Sequence, residues 1–208
     1  VSGIMSLRLL LIAALERNLQ INQWDVETAF LNATLPEKYK IYVDMPPGVK
    51  GPNGETKARL RKSLYGLVQA PFAWHELQDS VLHKFIPKGS DARFTKNAAE
   101  PCMYDLVDDA NGIELHVLVY VDDYAVIHNG CAAYEELLDH MRASFKIEDK
   151  GGPENLLQMG ITESGDHTTD KRSIHLTVTK HIEGLVQRFG LTDAGAKHLS
   201  PMEPGDTL

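Results

Sequence analysis

Residues 115–128 read LHVLVYVDDYAVIH, and the fold depends on how this stretch turns back on itself. Two apolar runs rich in Val, Leu, Ile and Tyr flank two adjacent carboxylates, Asp122 and Asp123. Each run has five or six residues, a strand length, and its β-branched and aromatic side chains favour strands over helices. Asp accepts turn geometry, so a break at Val121, Asp122 and Asp123 makes the two runs a tight hairpin. Neither run alternates cleanly, which predicts that both faces are covered. Two readings of the tip stand side by side. Asp-Asp is good turn chemistry in its own right. Two neighbouring carboxylates also repel unless cations neutralise them, which suits a hard divalent ion such as Mg²⁺. The second reading needs a further carboxylate from elsewhere in the chain.

Upstream, residues 19–26 (LQINQWDV) predict a strand. Leu19, Ile21, Gln23 and Asp25 share one face of it, and Trp24 and Val26 the other. Downstream, residues 132–145 predict a helix with Tyr134, Leu137, Leu138, Met141 and Phe145 on one apolar side. A second helix over 71–85 carries Trp74, Leu77, Val81 and Phe85 in a helical stripe, with Pro71 in its first turn; Trp74 reads as core packing. Residues 102–107 predict a strand and 108–112 (DDANG) an ordinary exposed turn, a second acid pair without apolar runs on both sides. After the Gly151-Gly152-Pro153 break, 155–162 (NLLQMGIT) is the next strand-like run. A polar loop over 163–172, a strand over 173–178 and a helix over 180–189 stopped by Gly190 follow, with a frayed tail over 192–208. Once the 36–62 excursion is set aside, the order is strand, helix, hairpin, helix, strand. That is an α+β fold with a ferredoxin-like split βαβ core, in which the first strand lies beside the hairpin. Asp25 can then approach Asp122 and Asp123 as the missing carboxylate.

The excursion holds a short strand with a Pro-Pro-Gly stop, a turn at 51–56 and the segment KARLRK. Lys57, Arg59, Arg61 and Lys62 place four cations in six residues with no acid among them. This is either a solvated edge strand, whose lysines discourage edge pairing, or a phosphate-contacting surface. Gly66 marks a close backbone approach or a special turn.

The 208 residues carry a formal net charge of −8, with 43% hydrophobic and 24% charged side chains. This suits one globular domain, with room for an appendage. Nucleic-acid binders are usually basic, so the balance counts against that role unless cations cluster locally. Cys102 and Cys131 are far apart in sequence, which disfavours a structural zinc site and fits a reduced, intracellular protein. Residues 9–15 (LLLIAAL), bounded by Arg8 and Glu16, are too short to span a bilayer and lead into no small-residue cleavage site. They predict a buried helix over 6–17.

The chain resembles the reverse transcriptase domain of copia-type LTR retrotransposons. The resemblance rests on QWDVETAFLNATL, IYVDMPPG, RLRKSLYGLVQAPFAW, EPCMYDL, LVYVDDYAV, FKIEDKGG, LLQMGI and TKHIEGLVQRFG, which come in the family's order across nearly the whole chain. It implies an RNA-directed DNA polymerase with the palm of a right hand. Palm would cover 1–32 and 70–166, part of the fingers 33–69, and the start of the thumb and a tail 167–208. Asp25, Asp122 and Asp123 match the family's catalytic, metal-binding aspartates, implying two Mg²⁺ ions, with Mn²⁺ as a substitute. Phe30, Gly66, Gln69 and Tyr120 fall where the incoming nucleotide and primer end lie. Lys57, Arg59, Arg61, Lys62, Met159 and Gly160 fall at the nucleic acid, Met159 and Gly160 in the loop that grips the primer. The implied partners are a primed RNA or DNA template and dNTPs, with integrase and RNase H elsewhere in a polyprotein. The implied setting is a cytoplasmic virus-like particle or the nucleus, with no membrane.

Several positions depart from the family. Val68 and Phe72 stand where many relatives carry Lys and Arg, and Lys150 replaces the usual Leu of Asp-Leu-Gly. On this resemblance the chain is expected to begin close before the first catalytic strand, without most of the fingers, and to stop before any RNase H region. Two other classes remain in view: another palm-type nucleotidyl transferase or cyclase, and a decayed, non-catalytic domain that only binds nucleic acid or a partner chain. The segment RKSLYGLVQAP speaks against the former; the three intact aspartates speak against the latter, while the missing fingers and the altered basic positions favour it.

Overall fold

The structure, a computed structural model, describes residues 2–165 and 172–190. Among them α1 (Ile4–Glu16) leads into β1 (Gln20–Val26) and the single turn α2 (Ala29–Asn32). A two-stranded hairpin follows, β2 (Tyr42–Asp44) with β3 (Lys57–Arg59), and then α3 (Ala70–Lys84). Next come β4 (Thr95–Lys96), β5 (Met103–Asp108), β6 (Ile113–Tyr120), β7 (Asp123–His128), α4 (Ala133–Arg142) and β8 (Ile147–Asp149). The remainder is β9 (Asn155–Leu156), β10 (Met159–Ser164), β11 (Ser173–Thr177) and α5 (Thr179–Arg188). The fold is mixed α+β with antiparallel sheets. Among the described residues no helix is long and apolar enough to cross a membrane.

The largest sheet runs β4-β5-β6-β7-β1-β8. The expected hairpin is present, with Tyr120 paired to Asp123 across the two-residue turn Val121-Asp122. The first strand lies beside it, Gln20 opposite His128 through Asp25 opposite Asp123. Parity along each strand divides the apolar side chains between two cores, as the lack of clean alternation in residues 115–128 predicts. Trp24, Val26, Val117, Val119, Tyr124 and Val126 face α3 and α4. Leu19, Ile21, Leu118, Ala125 and Ile127 face α1 and the β9–β11 sheet. Burying a large apolar side chain contributes about 1.5–3 kcal/mol, so this two-sided burial pins the register. A slip of one residue would exchange Asp25 and Asp123 for Trp24 and Tyr124.

Three expectations change. The strand that closes the arrangement is β8, which pairs with the outer edge of β1, and not 155–162. With three residues and only Ile147 buried, β8 is too short to show a period. The run 155–162 is not one strand: it holds β9, a turn at Leu157 and Gln158 with φ of 52° and 64°, and the first part of β10. Two consecutive positive φ angles fit the hairpin turn that normally calls for Asn-Gly, and Leu-Gln gives no such signal. The helix expected to be buried, α1, is buried on one side only: Leu7, Leu10, Leu11 and Ala14 are covered, whereas Met5, Leu9 and Ile12 are exposed. The tail over 192–208 and part of the polar loop, 166–171, lie outside the described residues.

Candidate active site

Paired residues of an antiparallel sheet point to the same face. Tyr120, Asp123, Asp25 and Glu148 therefore form one row across β6, β7, β1 and β8. The row lies on the α1 side of the sheet, beyond the point where Leu118 and Ala125 close the second core. There the face opens into a cleft of about 750 Å³ whose lining includes Gln23, Asp25, Asp123, Glu148 and Lys150. Directly opposed Cβ atoms are about 4.5–5.5 Å apart and like charges in that position destabilise a sheet. The Asp25–Asp123 pair is thus a local electrostatic cost.

Asp122 sits in the turn. Its carbonyl accepts the Val26 N–H at 2.8 Å, which extends the β1–β7 ladder by one bond. Its carboxylate is close enough to act on Asp123. Burial pushes the Asp123 carboxyl above the usual carboxylate range, a hydrogen bond from Gln23 opposes this, and the charges of Asp122 and Asp25 push it further up. Gln23 Nε2 donates to Asp123 Oδ1 at 3.2 Å, and Lys150 Nζ lies 3.2 Å from Asp25 Oδ1. Among the described residues no three His, Cys, Asp or Glu side chains close into a ligand cluster. Asp25 and Asp123 instead turn towards the ammonium and the amide beside them.

The turn is strained. Val121 has a φ of 59°, a left-handed conformation that a β-branched residue rarely adopts. Trp74 Nε1 donates to Val121 O at 2.6 Å, and the Trp74 ring meets Phe145 edge-on at 5.0 Å. Trp74 is core, as expected, but its indole N–H also anchors the acid-bearing turn from α3. Asp149, next to the row, has a structural role. It accepts from Tyr134 Oη at 2.6 Å and from Gly151 N at 2.8 Å.

The other candidates spread around this centre. Phe30, on α2, is partly buried against the first core and meets the Tyr65 ring at 4.9 Å. Gly66 takes a φ of +91° with open space where a Cβ would stand, so a special turn and not a close approach requires it. Gln69 precedes α3 and its carbonyl accepts the Ala73 N–H. Arg59 pairs with Glu37 at 2.8 Å, and this guanidinium holds the Glu37 carboxyl below its usual range. Lys57, Arg61 and Lys62 are exposed. Met159 is buried in the second core, so its side chain is not a surface contact. Gly160 is a close approach, since a Cβ there would stand 2.6 Å from Thr177 Oγ1. The sequence reading missed Gln23, Glu148 and Tyr65. The even spacing of Gln23 and Asp25 was the one signal available for any of them.

A family model described as reverse transcriptase (RNA-dependent DNA polymerase) matches residues 1–204. The chain belongs to the reverse transcriptase family. It is 30% identical over 190 residues to the retrovirus-related Pol polyprotein from transposon TNT 1-94 of Nicotiana tabacum, covering 91% of this chain and 13% of that protein. It is 29% identical over 205 residues to the Pol polyprotein from transposon RE1 of Arabidopsis thaliana, covering 98% of this chain and 13% of the relative. It is 24% identical over 196 residues to the transposon Ty1-DR1 Gag-Pol polyprotein of Saccharomyces cerevisiae, covering 92% and 10%. These relatives are copia- and Ty1-type retrotransposon proteins, and this chain spans about an eighth of the length of the first two.

Proposed function

We propose that this domain adds deoxynucleotides to a primer 3′-hydroxyl on an RNA or DNA template, with Asp25, Asp122 and Asp123 holding the divalent ions. The observation that carries this is the register: Asp25 opposite Asp123, with the Asp122 charge acting on the same carboxyl, at the open end of a sheet face. A crowded set of hard oxygen donors fits Mg²⁺, or Mn²⁺ in its place. Bound there, two Mg²⁺ ions would stabilise the attacking 3′-oxygen and the leaving pyrophosphate. The chain's own part is placement. The β1–β7 ladder fixes two carboxylates, and the Trp74 anchor fixes the turn that carries the third.

In this reading β1, α3, the β6–β7 hairpin, α4 and β8 are a ferredoxin-like palm, the β2–β3 hairpin belongs to the fingers, and α5 opens the thumb. Phe30, backed by Tyr65, lies beneath the sugar of the incoming nucleotide, and Phe30→Val admits ribonucleotides. Gly66 and Gln69 shape the floor of that pocket, and Tyr120 stands beside the primer end. Lys57, Arg61 and Lys62 meet phosphates. Arg59 joins them by releasing Glu37, since a solvent-exposed ion pair adds little stability. Met159 and Gly160 shape a primer-gripping turn through backbone and packing. Primer extension on an RNA template, by the parent and by Asp122→Asn, tests the reading. Mg²⁺-dependent extension by the parent and its loss in the variant are expected. No extension by the parent, or equal extension by both, overturns it.

A further inference from the structure

Lys150 follows β8, and the main chain, not the side chain, sets its place. Its N–H donates to Gln23 O at 2.8 Å, and Gln23 N donates to Gly151 O at 2.8 Å. The β8 end is thereby tied to β1 beside Asp25. From this anchor the ammonium reaches Asp25 Oδ1 at 3.2 Å. The lining of the cleft among the described residues carries five carboxyl groups, those of Asp25, Asp123, Glu148, Asp149 and Glu154, and Lys150 is its single cation. The two partners of the ion pair keep 39% and 37% of their side-chain surface exposed. Exposed pairs of this kind stabilise a fold very little. The contact therefore has little to do for stability, while it puts one positive charge against a carboxylate in an otherwise acidic cleft.

We propose that Lys150 is a resident counter-ion of the acid row, neutralising Asp25 while no divalent ion is bound and yielding the carboxylate when one arrives, so that it sets the ion concentration at which the site fills. The proposal rests on the reading of Asp25, Asp122 and Asp123 as the metal site. A dication outcompetes a single ammonium at hard oxygen ligands, and the flexible four-carbon stem lets the head group swing away while the backbone anchor stays. The displaced ammonium still sits near the ion and repels it. At a separation of several ångströms in a water-like, salt-screened medium that repulsion corresponds to about a three- to tenfold weakening of ion binding.

The test is Mn²⁺ binding to the purified chain, followed by the electron paramagnetic resonance signal of free Mn²⁺, with no primer or nucleotide present. Lys150→Met keeps most of the stem and removes the charge, and Lys150→Arg keeps the charge. Lys150→Met is expected to bind Mn²⁺ about three- to tenfold more tightly than the parent, by a margin that shrinks at high salt. Lys150→Arg should stay within about twofold of the parent, since its charge is unchanged. Unchanged or weaker binding by Lys150→Met, while Asp25→Asn and Asp123→Asn still abolish binding, overturns the counter-ion role and leaves the metal-site reading standing. Mn²⁺ binding that is absent from the parent, or indifferent to both aspartate substitutions, overturns the two together.

Discussion

Strand β6 has an Asp-Asp pair at each end, and the two ends differ in hydrogen bonding, burial and backbone strain. At the β5–β6 end, Asp108 accepts hydrogen bonds from Ser90 Oγ at 2.5 Å, Asn111 Nδ2 at 2.7 Å and Asn111 N at 3.2 Å. The Ser90 bond first and the Asn111 bond next hold its carboxyl below the usual carboxylate range. At the β6–β7 end, Asp123 receives one amide, is half-buried and faces two further acids, so its carboxyl is pushed up. The backbones differ in the same sense. The first turn places its left-handed residue on Gly112, at φ 64°, and the second on Val121, at φ 59°. Left-handed strain on a non-glycine residue costs about 1–3 kcal/mol and persists only where its surroundings enforce it. The same dipeptide is thus a relaxed turn at one end of a strand and a strained, charge-crowded one at the other. The difference lies in what the rest of the chain brings to it.

The largest expected effect separates the two ends by activity. Asp122→Asn removes a charge at nearly constant shape, and template-directed extension should fall by about a hundredfold or more, because charge stabilisation is the main contribution to phosphoryl transfer. Asp108→Asn should leave extension within about twofold of the parent. Extension rates measured side by side decide it, and equal losses at both ends would break the comparison.

A middle-sized effect tests what enforces the strain. Trp74→Phe keeps an aromatic ring in the core and removes the donor to Val121 O. Losing one such bond costs about 1 kcal/mol of stability. Misplacing the turn by a fraction of an ångström should lower the extension rate by about tenfold, with less change in nucleotide KM. Steady-state kinetics and thermal melts on the same preparation provide both numbers. A variant that loses stability but retains its rate would show that Trp74 only packs.

How much of this was legible in the sequence depended on length and period. The long elements β1, β6, β7, α3 and α4 carry enough apolar side chains to show their spacing, and the parity of Ile21, Gln23 and Asp25 already placed Asp25 on a definite face. Strand β8 was not legible, because it has three residues and owes its place to β1. The Leu157-Gln158 turn was not legible either, since neither residue favours the left-handed region it occupies. In the site, the three aspartates stood out by residue type. Their surroundings did not: the indole N–H of Trp74, the Lys150 ion pair and the Gln23 amide are contacts between residues 47, 125 and 100 positions apart. Met159 shows the converse: its motif suggests a place at the nucleic acid, and nothing in the motif signals that its side chain packs into the second core.

The smallest effect concerns stability alone, and it should run opposite to activity. In EDTA, Asp123→Asn removes a half-buried charge that burial, Asp122 and Asp25 all oppose, while Asn Oδ1 can still accept from Gln23. This variant should melt at or slightly above the parent temperature although it is expected to lose extension. Asp108→Asn should melt lower although it is expected to keep the parent's extension, because a neutral amide binds the Ser90 and Asn111 donors less strongly than a carboxylate does. The pH dependence fixes the sign. A carboxyl whose folded pKa is depressed contributes its stability in full above the unfolded value, about 3.9, and loses it as pH falls through the folded value. The melting gap between parent and Asp108→Asn should therefore be constant from about pH 7 down to pH 5 and close below about pH 4. A gap that persists undiminished into that acid range would mean that Asp108 acts through shape and not through charge, and the contrast between the two turns would then rest on the β6–β7 end alone.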